Sequence, residues 1–212
     1  MAGKPLADCP NCSQLAANTY DDLMDGSRPH DAIVALLGFP PPGGAGTVCC
    51  PTCGTLYEFE YDCGFMEHDI SLRRISPTEA GAPIDVERCT AELAHANADT
   101  RDYAALCLAS HHVARDDHGA VIELLRHDDA TVKIRSIVTV IYSKCDVRPY
   151  LAAFIELLFD ADPSVRGNAA RIAHYHMAVL RECRAEILDG LKRQAGDGPL
   201  PPDAASLLAD LR

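Results

Sequence analysis

Asp162-Pro163-Ser164-Val165-Arg166 follows the same pattern as Asp129-Ala130-Thr131-Val132-Lys133, which lies 33 residues earlier in the chain. The segments before these two stretches also correspond, since residues 121–125 read Val-Ile-Glu-Leu-Leu and residues 154–158 read Phe-Ile-Glu-Leu-Leu. A fainter copy, Asn97-Ala98-Asp99-Thr100-Arg101, lies 32 residues before the first. Such a recurrence predicts a series of similar structural units rather than one irregular core.

Each unit is predicted to consist of a helix, an Asp-containing turn and a second helix. Asp accepts a hydrogen bond at a helix N-terminus and Pro presets the backbone there, so Asp162-Pro163 marks the start of a second helix. One helix pair cannot bury its apolar stripe alone, so successive pairs are expected to stack. A degenerate fourth unit begins at residues 186–188, and a last helix is predicted over residues 204–211 with Asp203 as its N-cap.

The stretch from Asp162 to Ala170 resembles the turn and second helix of HEAT repeats. Residues 129–137 match the same pattern less closely and residues 97–105 weakly, and the resemblance covers about residues 85–190. It implies a right-handed α-solenoid, and most such solenoids bind other proteins on the surface that their second helices line. A minority, the HEAT-like DNA glycosylases and bilin lyases, are enzymes.

Two Cys-Pro-x-Cys pairs lie nearer the N-terminus, Cys9-Pro10-Asn11-Cys12 and Cys50-Pro51-Thr52-Cys53. Each pair is predicted to form a knuckle, a tight turn whose two thiolates face one metal ion. Two knuckles supply the four ligands of a closed tetrahedral site. One structural Zn²⁺ is therefore predicted, with iron in the same four-sulfur cage as the second choice. The predicted ligands are Cys9, Cys12, Cys50 and Cys53.

Nearby residues leave two alternatives open for this site. Cys49 adjoins Cys50 and could compete as a ligand, although the Cys-Pro-x-Cys-Gly register favours Cys50. Cys63 lies off the knuckle spacing and is expected to be free and half-buried. A catalytic site, in which His30 or His68 or an open position replaces one thiolate, is less favoured because two full knuckles are present.

A short hairpin is predicted after the second knuckle. Residues 56–61 alternate between aromatic and acidic positions, which indicates a strand, and residues 69–75 suit a return strand. Residues 28–38 are predicted to form a short helix and residues 39–46 a loop, while the polar stretch after the first knuckle receives no assignment. Knuckles followed by strand, turn and strand resemble a zinc ribbon.

The predicted fold is therefore mainly α. A short HEAT-like α-solenoid over residues 84–212 is preceded by a small zinc-ribbon β module with a short helical insert over residues 1–76, and a Pro- and Gly-containing stretch separates the two. Terminal repeats of a solenoid expose their apolar face, so we expect the ribbon to cover the first repeat.

The composition of the chain limits the functions that it could have. The chain of 212 residues has a formal net charge of −12 and a pI of about 5.0, so it repels phosphate backbones and non-specific nucleic-acid binding is not expected. Its apolar runs fall short of a membrane span, and its first residues lack the apolar run of a signal peptide. Four metal-spaced cysteines among ten fit a reducing cytoplasm. An Ala- and Arg-rich, Lys-poor composition indicates a bacterial protein from a GC-rich genome.

Aromatic and histidine residues recur at equivalent positions of the predicted second helices. Tyr142 and Tyr175 share one repeat position, and His111 and His176 share the next. With His112 and His174 they are predicted to form a strip that grips a protein partner or a second metal. The simpler alternative is that the histidines, His118 and His127 included, are bonded within their own turns.

Charged residues suggest two further interpretations. Arg101, Lys133 and Arg166 occupy one position at the start of successive second helices; in HEAT repeats this position commonly bonds the Asp of a neighbouring turn, and a phosphate-binding ladder is the alternative. Glu58 and Glu60 make the hairpin acidic, which fits either a solvated edge or a docking face for a basic partner.

The sequence therefore predicts a protein-binding or adaptor module that is not an enzyme, with one structural zinc, a protein partner that could be basic, and no nucleic-acid or membrane partner. Nucleophile signatures and paired metal carboxylates are absent, and the Gly-rich stretch at 43–46 lacks the flanking strand and helix of a phosphate loop. Three alternatives stay open: an immunity or antitoxin protein that neutralises a basic toxin, a HEAT-like nucleic-acid-modifying enzyme, and a purely structural subunit of a larger assembly.

Overall fold

The computed structural model describes residues 5–22, 31–38, 44–63, 68–196 and 198–211. The chain is mainly helical, as predicted, with one small antiparallel sheet. It forms two compact units, Met1–Cys107 and Leu108–Arg212. The predicted domain ranges, 1–76 and 84–212, stay predictions.

The first unit contains a four-stranded sheet and a short helix. In chain order the elements are β1 (Asn18–Asp22), α1 (Asp31–Leu37), β2 (Ala45–Cys49), β3 (Leu56–Cys63) and β4 (His68–Ile75). All strand pairs are antiparallel and the strand order is β1-β4-β3-β2. Short 3₁₀ turns at Leu6–Asp8 and Cys12–Gln14 flank the first knuckle. The predicted hairpin is confirmed as β3 and β4, and the predicted short helix as α1.

The two outer strands were not predicted. β1 is short and polar, so its sequence resembles a loop. The predicted loop extended to Gly46 and is wrong for Ala45 and Gly46, which lie in β2. A Cβ atom at Gly46 would lie 3.2 Å from the Phe59 ring, so this glycine permits close strand approach rather than a turn. The rest of that predicted loop, residues 39–43, lies outside the described residues.

The β3–β4 register places apolar residues on one face together with the buried Arg74, and exposed charged residues on the opposite face. Tyr57 pairs with Arg74 and Phe59 with Leu72, whereas Glu58 pairs with Arg73 on the other face. Tyr57 is fully buried and Glu58 is exposed, as the alternating pattern predicts.

Helices continue the first unit after the sheet. They are α2 (Val86–Glu92) and α3 (Ala98–Val113), of which α3 runs on into the second unit. Leu56 N–H donates to the Tyr103 hydroxyl at 3.0 Å, and Ala7 N–H donates to the Thr100 hydroxyl at 3.2 Å. Both the sheet and the first knuckle are thus hydrogen-bonded to the N-terminal part of α3.

The second unit consists of helices. The elements are α4 (His118–Leu125), α5 (Ala130–Tyr142), α6 (Leu151–Leu157), α7 (Pro163–Tyr175), α8 (Met177–Glu182), α9 (Arg184–Ala195) and α10 (Pro202–Asp210). A 3₁₀ turn, Arg148–Tyr150, precedes α6. Its core is one apolar cluster to which most of these helices contribute, and the largest fully buried side chains in it include Leu125, Ile137, Tyr150, Ile172 and Ile187.

The predicted helix starts are confirmed in α3, α5 and α7. Asn97 accepts a hydrogen bond from Thr100 N–H at 3.0 Å, and Asp129 accepts one from Val132 N–H at 3.2 Å. Asp162 accepts one from Ser164 N–H at 2.7 Å. These side chains satisfy backbone donors that the helix cannot.

The predicted cap of the last helix is wrong. Pro201 is the N-cap of α10 and makes no side-chain bond, so the helix begins before Asp203. Asp203 instead lies in the first helical turn, where an acid favours the helix dipole, and its carboxylate lies 3.5 Å from Arg166 Nε.

Within the described residues, every helix is too short or too polar to meet the requirements of a bilayer-crossing segment.

Candidate metal centre

The two knuckles bring Cys9, Cys12, Cys50 and Cys53 together in one buried cluster of the first unit. Sulfur–sulfur distances are 3.6 Å for Cys9–Cys50 and 3.5 Å for Cys12–Cys53, and all four Sγ atoms lie within 4.8 Å of one another. Each residue is at most 2% exposed. The four residues predicted from spacing are therefore the four that the fold assembles.

Backbone geometry forms each knuckle. In the first, Cys12 N–H donates to Cys9 Sγ at 3.5 Å, which directs a backbone dipole at the sulfur. In the second, Gly54 N–H donates to the Cys50 carbonyl at 2.9 Å, and Gly54 has a φ of +76°. This left-handed conformation favours glycine, so the Gly in the Cys-Pro-x-Cys-Gly register has a direct structural reason.

The sulfur positions fit a tetrahedral metal ion. With metal–sulfur bonds of about 2.3 Å, tetrahedral ligands lie about 3.8 Å apart. The observed pairs at 3.5 and 3.6 Å need only small displacements to reach that value. All four positions are occupied by thiols, so the arrangement could hold a metal ion and leaves no open position for water or substrate.

The pKa shifts of the thiols show what a bound cation would change. The Cys12–Cys53 hydrogen bond raises the pKa of Cys12 and lowers the pKa of Cys53 to about 4. Burial is the main cause that raises the pKa of Cys9. One thiolate therefore disfavours the next in this buried cluster, and a divalent cation would remove that conflict by binding all four as thiolates.

Two arginines donate hydrogen bonds to backbone carbonyls in and beside the knuckles. Arg74, on β4, is 4% exposed and donates from Nη2 to the carbonyls of Leu15 and, at 3.4 Å, Cys12. Arg88, on α2, donates from Nη2 to the Cys53 carbonyl at 3.2 Å and from Nε to Glu92 at 2.8 Å. One guanidinium thus supports each knuckle, and the two positive charges match the net −2 of a divalent ion with four thiolates.

Buried polar atoms beside the cluster lack partners. The Tyr57 hydroxyl and Arg74 Nε and Nη1 are buried without a hydrogen-bond partner among the described residues, although Asp99 lies 3.9 Å from Nη1. Burial, and after it the Cys12 thiol, raise the pKa of Tyr57. A thiolate at Cys12 would give this hydroxyl an acceptor, so the surroundings fit a charged, metal-bound cluster better than neutral thiols.

The other sulfur and imidazole candidates do not join the cluster. Cys49 is exposed on β2, because the strand's alternation turns it away from Cys50. The side chains of Cys63 and His68, and all of His30, lie outside the described residues. Across the described part of the chain, the cysteine cluster is the one group of three or more metal-ligating side chains close enough to share an ion.

Tyr57, Arg74 and Arg88 were not predicted as residues of the site. Strand parity was a usable signal for Arg74, because it shares the face of Ile70 and Leu72 and therefore points inward. No sequence pattern would have paired Arg88 with the second knuckle, since the contact joins residues 35 positions apart on a helix and a turn.

The predicted partner residues are only partly brought together. In the second unit, the rings of Tyr142 and Tyr175 lie 5.9 Å apart, and these residues are 62% and 57% exposed. His112 Nδ1 lies 2.9 Å from the Asp117 carboxylate, and its ring packs edge-on against His111 at 5.3 Å. His112 is therefore bonded locally.

Two other histidines complete the predicted strip. His176 is half-buried at the end of α7, with its Nε2 buried and unpartnered among the described residues. The His174 side chain lies outside the described residues. Among the described residues, this strip contains no group of three or more metal-ligating side chains close enough to bind a second metal ion.

The acidic hairpin residues are exposed on β3. Glu58 forms an ion pair with Arg73 at 3.0 Å, and Arg73 also reaches Glu79 at 3.0 Å. Glu60 is exposed and faces Ser71 in the ladder. The charge of Glu58 is thus partly offset, and Glu60 is the more open carboxylate.

Comparison of the sequence and structure with protein-family models, curated proteins and solved structures found no match. The function is therefore argued from geometry and chemistry alone.

Proposed function

We propose that the protein is a non-enzymatic protein-binding or adaptor module of the bacterial cytoplasm. A zinc-ribbon-like module carries one structural Zn²⁺ on Cys9, Cys12, Cys50 and Cys53. A short HEAT-like α-solenoid carries the partner-binding surface on its second helices.

Zinc is the favoured ion because four thiolates in a closed tetrahedron are the usual ligands of structural zinc, with iron second. The closed coordination supports a structural role, since a catalytic site keeps a position for water. We expect one zinc per chain by elemental analysis of the purified protein. Metal binding would contribute about 10–16 kcal/mol to the folding of the first unit.

The repeated turns support the solenoid. Arg101 Nη1 donates to the carbonyls six and five residues before it, and Arg166 does the same. Lys133, at the equivalent position, instead bonds Asp160 in the next turn at 2.6 Å. Such repeated local geometry at a 32–33-residue spacing is expected where successive helix pairs stack.

The observation that carries the binding proposal is the exposed Tyr142–Tyr175 pair. Three large apolar side chains are exposed among the described residues, and two of the three lie in contact with each other. Tyrosine is enriched in protein interfaces because its ring contributes apolar area while its hydroxyl bonds at the rim. A basic partner could also dock at the hairpin through Glu60 and Glu58.

A pull-down from a lysate of the source organism tests the binding proposal. Full-length protein is compared with a Tyr142→Ser/Tyr175→Ser variant and with Val86→Ser, which alters the third exposed apolar side chain. We expect at least one protein to be retained by wild type and Val86→Ser and lost by the double variant. Identical retained sets for all three would contradict the proposal.

A further inference from the structure

The second helices α5 and α7 contain no acidic residue. Their sequences, ATVKIRSIVTVIY and PSVRGNAARIAHY, carry only positive formal charges, on Lys133, Arg135, Arg166 and Arg171. This is unexpected in a chain with 31 Asp and Glu against 19 Lys and Arg. The two helices pack against each other in the second unit.

Two of these four cations are used inside the repeat turns. Lys133 pairs with Asp160 at 2.6 Å, with both side chains largely buried. Arg166 donates to the carbonyls of Asp160 and Ala161 and lies 3.5 Å from Asp203. These contacts stabilise turns, and of the four cations Arg171 is the one whose side chain is exposed.

Arg135 and Arg171 belong to matching outward stripes. On each helix the residues of the stripe are three or four positions apart. Each residue of the α5 stripe lies 33 positions before its counterpart on α7. None of the six residues in the two stripes is fully buried. We name this set the α5–α7 face: Arg135, Val138 and Tyr142 on α5, and Asn168, Arg171 and Tyr175 on α7.

Arg171 is the best-defined cation of this face. Its Nη2 donates to Asn168 Oδ1 at 2.6 Å, a neutral acceptor one turn away. Its side chain is exposed and forms no ion pair with a carboxylate among the described residues. Four residues on, Tyr175 meets Tyr142, so a guanidinium and two exposed rings lie side by side.

We propose that the α5–α7 face binds an acidic segment of another protein. A carboxylate of the partner pairs with the guanidinium group of Arg171, which matches carboxylate geometry in two-point hydrogen bonds. An apolar or aromatic side chain of the same segment packs on the Tyr142–Tyr175 rings. This inference rests on the proposed protein-binding function and specifies the partner's chemistry at this surface, in contrast to the basic partner that the hairpin would favour.

Net charge does not oppose such a partner at this unit. Residues 108–212 contain 13 Lys and Arg against 15 Asp and Glu, a net charge of −2, whereas residues 1–107 contain 6 against 16, a net charge of −10. The negative charge of the chain is thus concentrated in the first unit. One exposed guanidinium group is also too little for a nucleic-acid footprint, which needs a larger basic patch.

Selection from a displayed random-peptide library tests the inference. The full-length protein is the bait, and binders that also bind Tyr142→Ser/Tyr175→Ser are removed. We expect the remaining peptides to be enriched in Asp and Glu. A synthetic peptide of the selected sequence should then bind Arg171→Glu at least about tenfold more weakly than wild type. Arg193→Glu, an equal charge change at an exposed site on α9, should change its affinity less than about twofold.

The possible outcomes distinguish the inference of an acidic partner from the proposed protein-binding function on which it rests. The peptides that need the two tyrosines could prove apolar or basic, or could bind Arg171→Glu as well as wild type. Either result would contradict the acidic partner and leave the protein-binding proposal intact. A failure to select any tyrosine-dependent peptide would contradict protein binding at this face. Arg171-dependent binding of a labelled single-stranded oligonucleotide, measured by anisotropy, would assign the face to nucleic acid and also overturn the inference.

Discussion

At the scale of single residues, a buried arginine is the most informative feature of the metal centre. Arg74 has almost no solvent contact, and its nearest carboxylate, Asp99, is 3.9 Å away on a side chain that is 56% exposed. A buried charge with so little compensation is costly. Four thiolates around a divalent ion, two net negative charges in the same cluster, would supply the compensation. The position of Arg74 is thus independent support for a charged metal centre.

Arg74→Met should weaken metal binding, because it removes the buried counter-charge and the donor to the Cys12 and Leu15 carbonyls. Residues that support a metal ligand from outside its coordination shell typically change affinity about 10–100-fold. Competition with a chromophoric zinc chelator measures this change. Arg73→Met, one residue away, is the matched control, since its ion pairs with Glu58 and Glu79 are exposed and contribute little. Equal zinc affinities for the two variants would show that the Arg74 charge does not support the site.

At the scale of elements, the recurring turn before α3, α5 and α7 is the structural unit of the helical region. In addition to its capping residue, each turn has an acceptor two residues earlier. His95 Nδ1 accepts from Asn97 N–H at 3.1 Å, His127 Nδ1 from Asp129 N–H at 3.0 Å, and Asp160 from Asp162 N–H at 2.9 Å. His127 is therefore bonded within its own turn, as the local interpretation predicted.

Asp160→Asn should remove part of the acid sensitivity of the second unit. Burial alone would raise the pKa of Asp160, but the Lys133 ammonium and the Asp162 N–H outweigh it and lower the pKa below the ordinary value of 3.8. A lowered folded-state pKa contributes stability that is present above about 3.8 and is lost as pH falls through the folded-state value. The Asp160–Lys133 bond should be worth about 1–3 kcal/mol at neutral pH.

Urea unfolding near neutral pH and at about pH 3 measures this effect. The wild type should lose more unfolding free energy between the two conditions than Asp160→Asn does. Asp128→Asn, at an exposed neighbouring turn position, should behave as wild type. Parallel losses in wild type and Asp160→Asn would show that the ion pair does not contribute.

The sequence predicts local chemistry in this protein better than long-range assembly. Knuckle spacing identified all four cluster cysteines, and the repeat pattern located Asp129 and Asp162 as helix caps, because both depend on residues close in sequence. β1 was missed because its pairing with β4 lies about fifty residues away and its own sequence is polar. Arg88 was missed for the same reason, since only folding places α2 beside the second knuckle.

At the scale of the whole molecule, the two compact units differ in what stabilises them. The second unit has a continuous apolar core that includes Val121, Ile137, Phe154, Ile172 and Ile187. The first unit has a four-stranded sheet and the two knuckles. The knuckles meet at their four sulfur atoms, and each knuckle receives hydrogen bonds from one arginine. The first unit also carries a net charge of −10, whose self-repulsion opposes compaction. We therefore expect a bound metal ion to contribute much of the stability of the first unit, alongside buried apolar residues such as Ile33, Ile70 and Leu72.

Hydrogen exchange read by mass spectrometry, with and without a strong zinc chelator, tests that central claim most directly. Chelation should release one zinc per chain and remove amide protection from β2, β3 and β4, while α5, α6 and α7 keep theirs because they belong to the other compact unit, whose apolar core contains none of the four cysteines. Cys53→Ser should show the unprotected pattern without chelator, and Cys49→Ser should match wild type. Strands that stay protected after complete loss of the metal would contradict the claim.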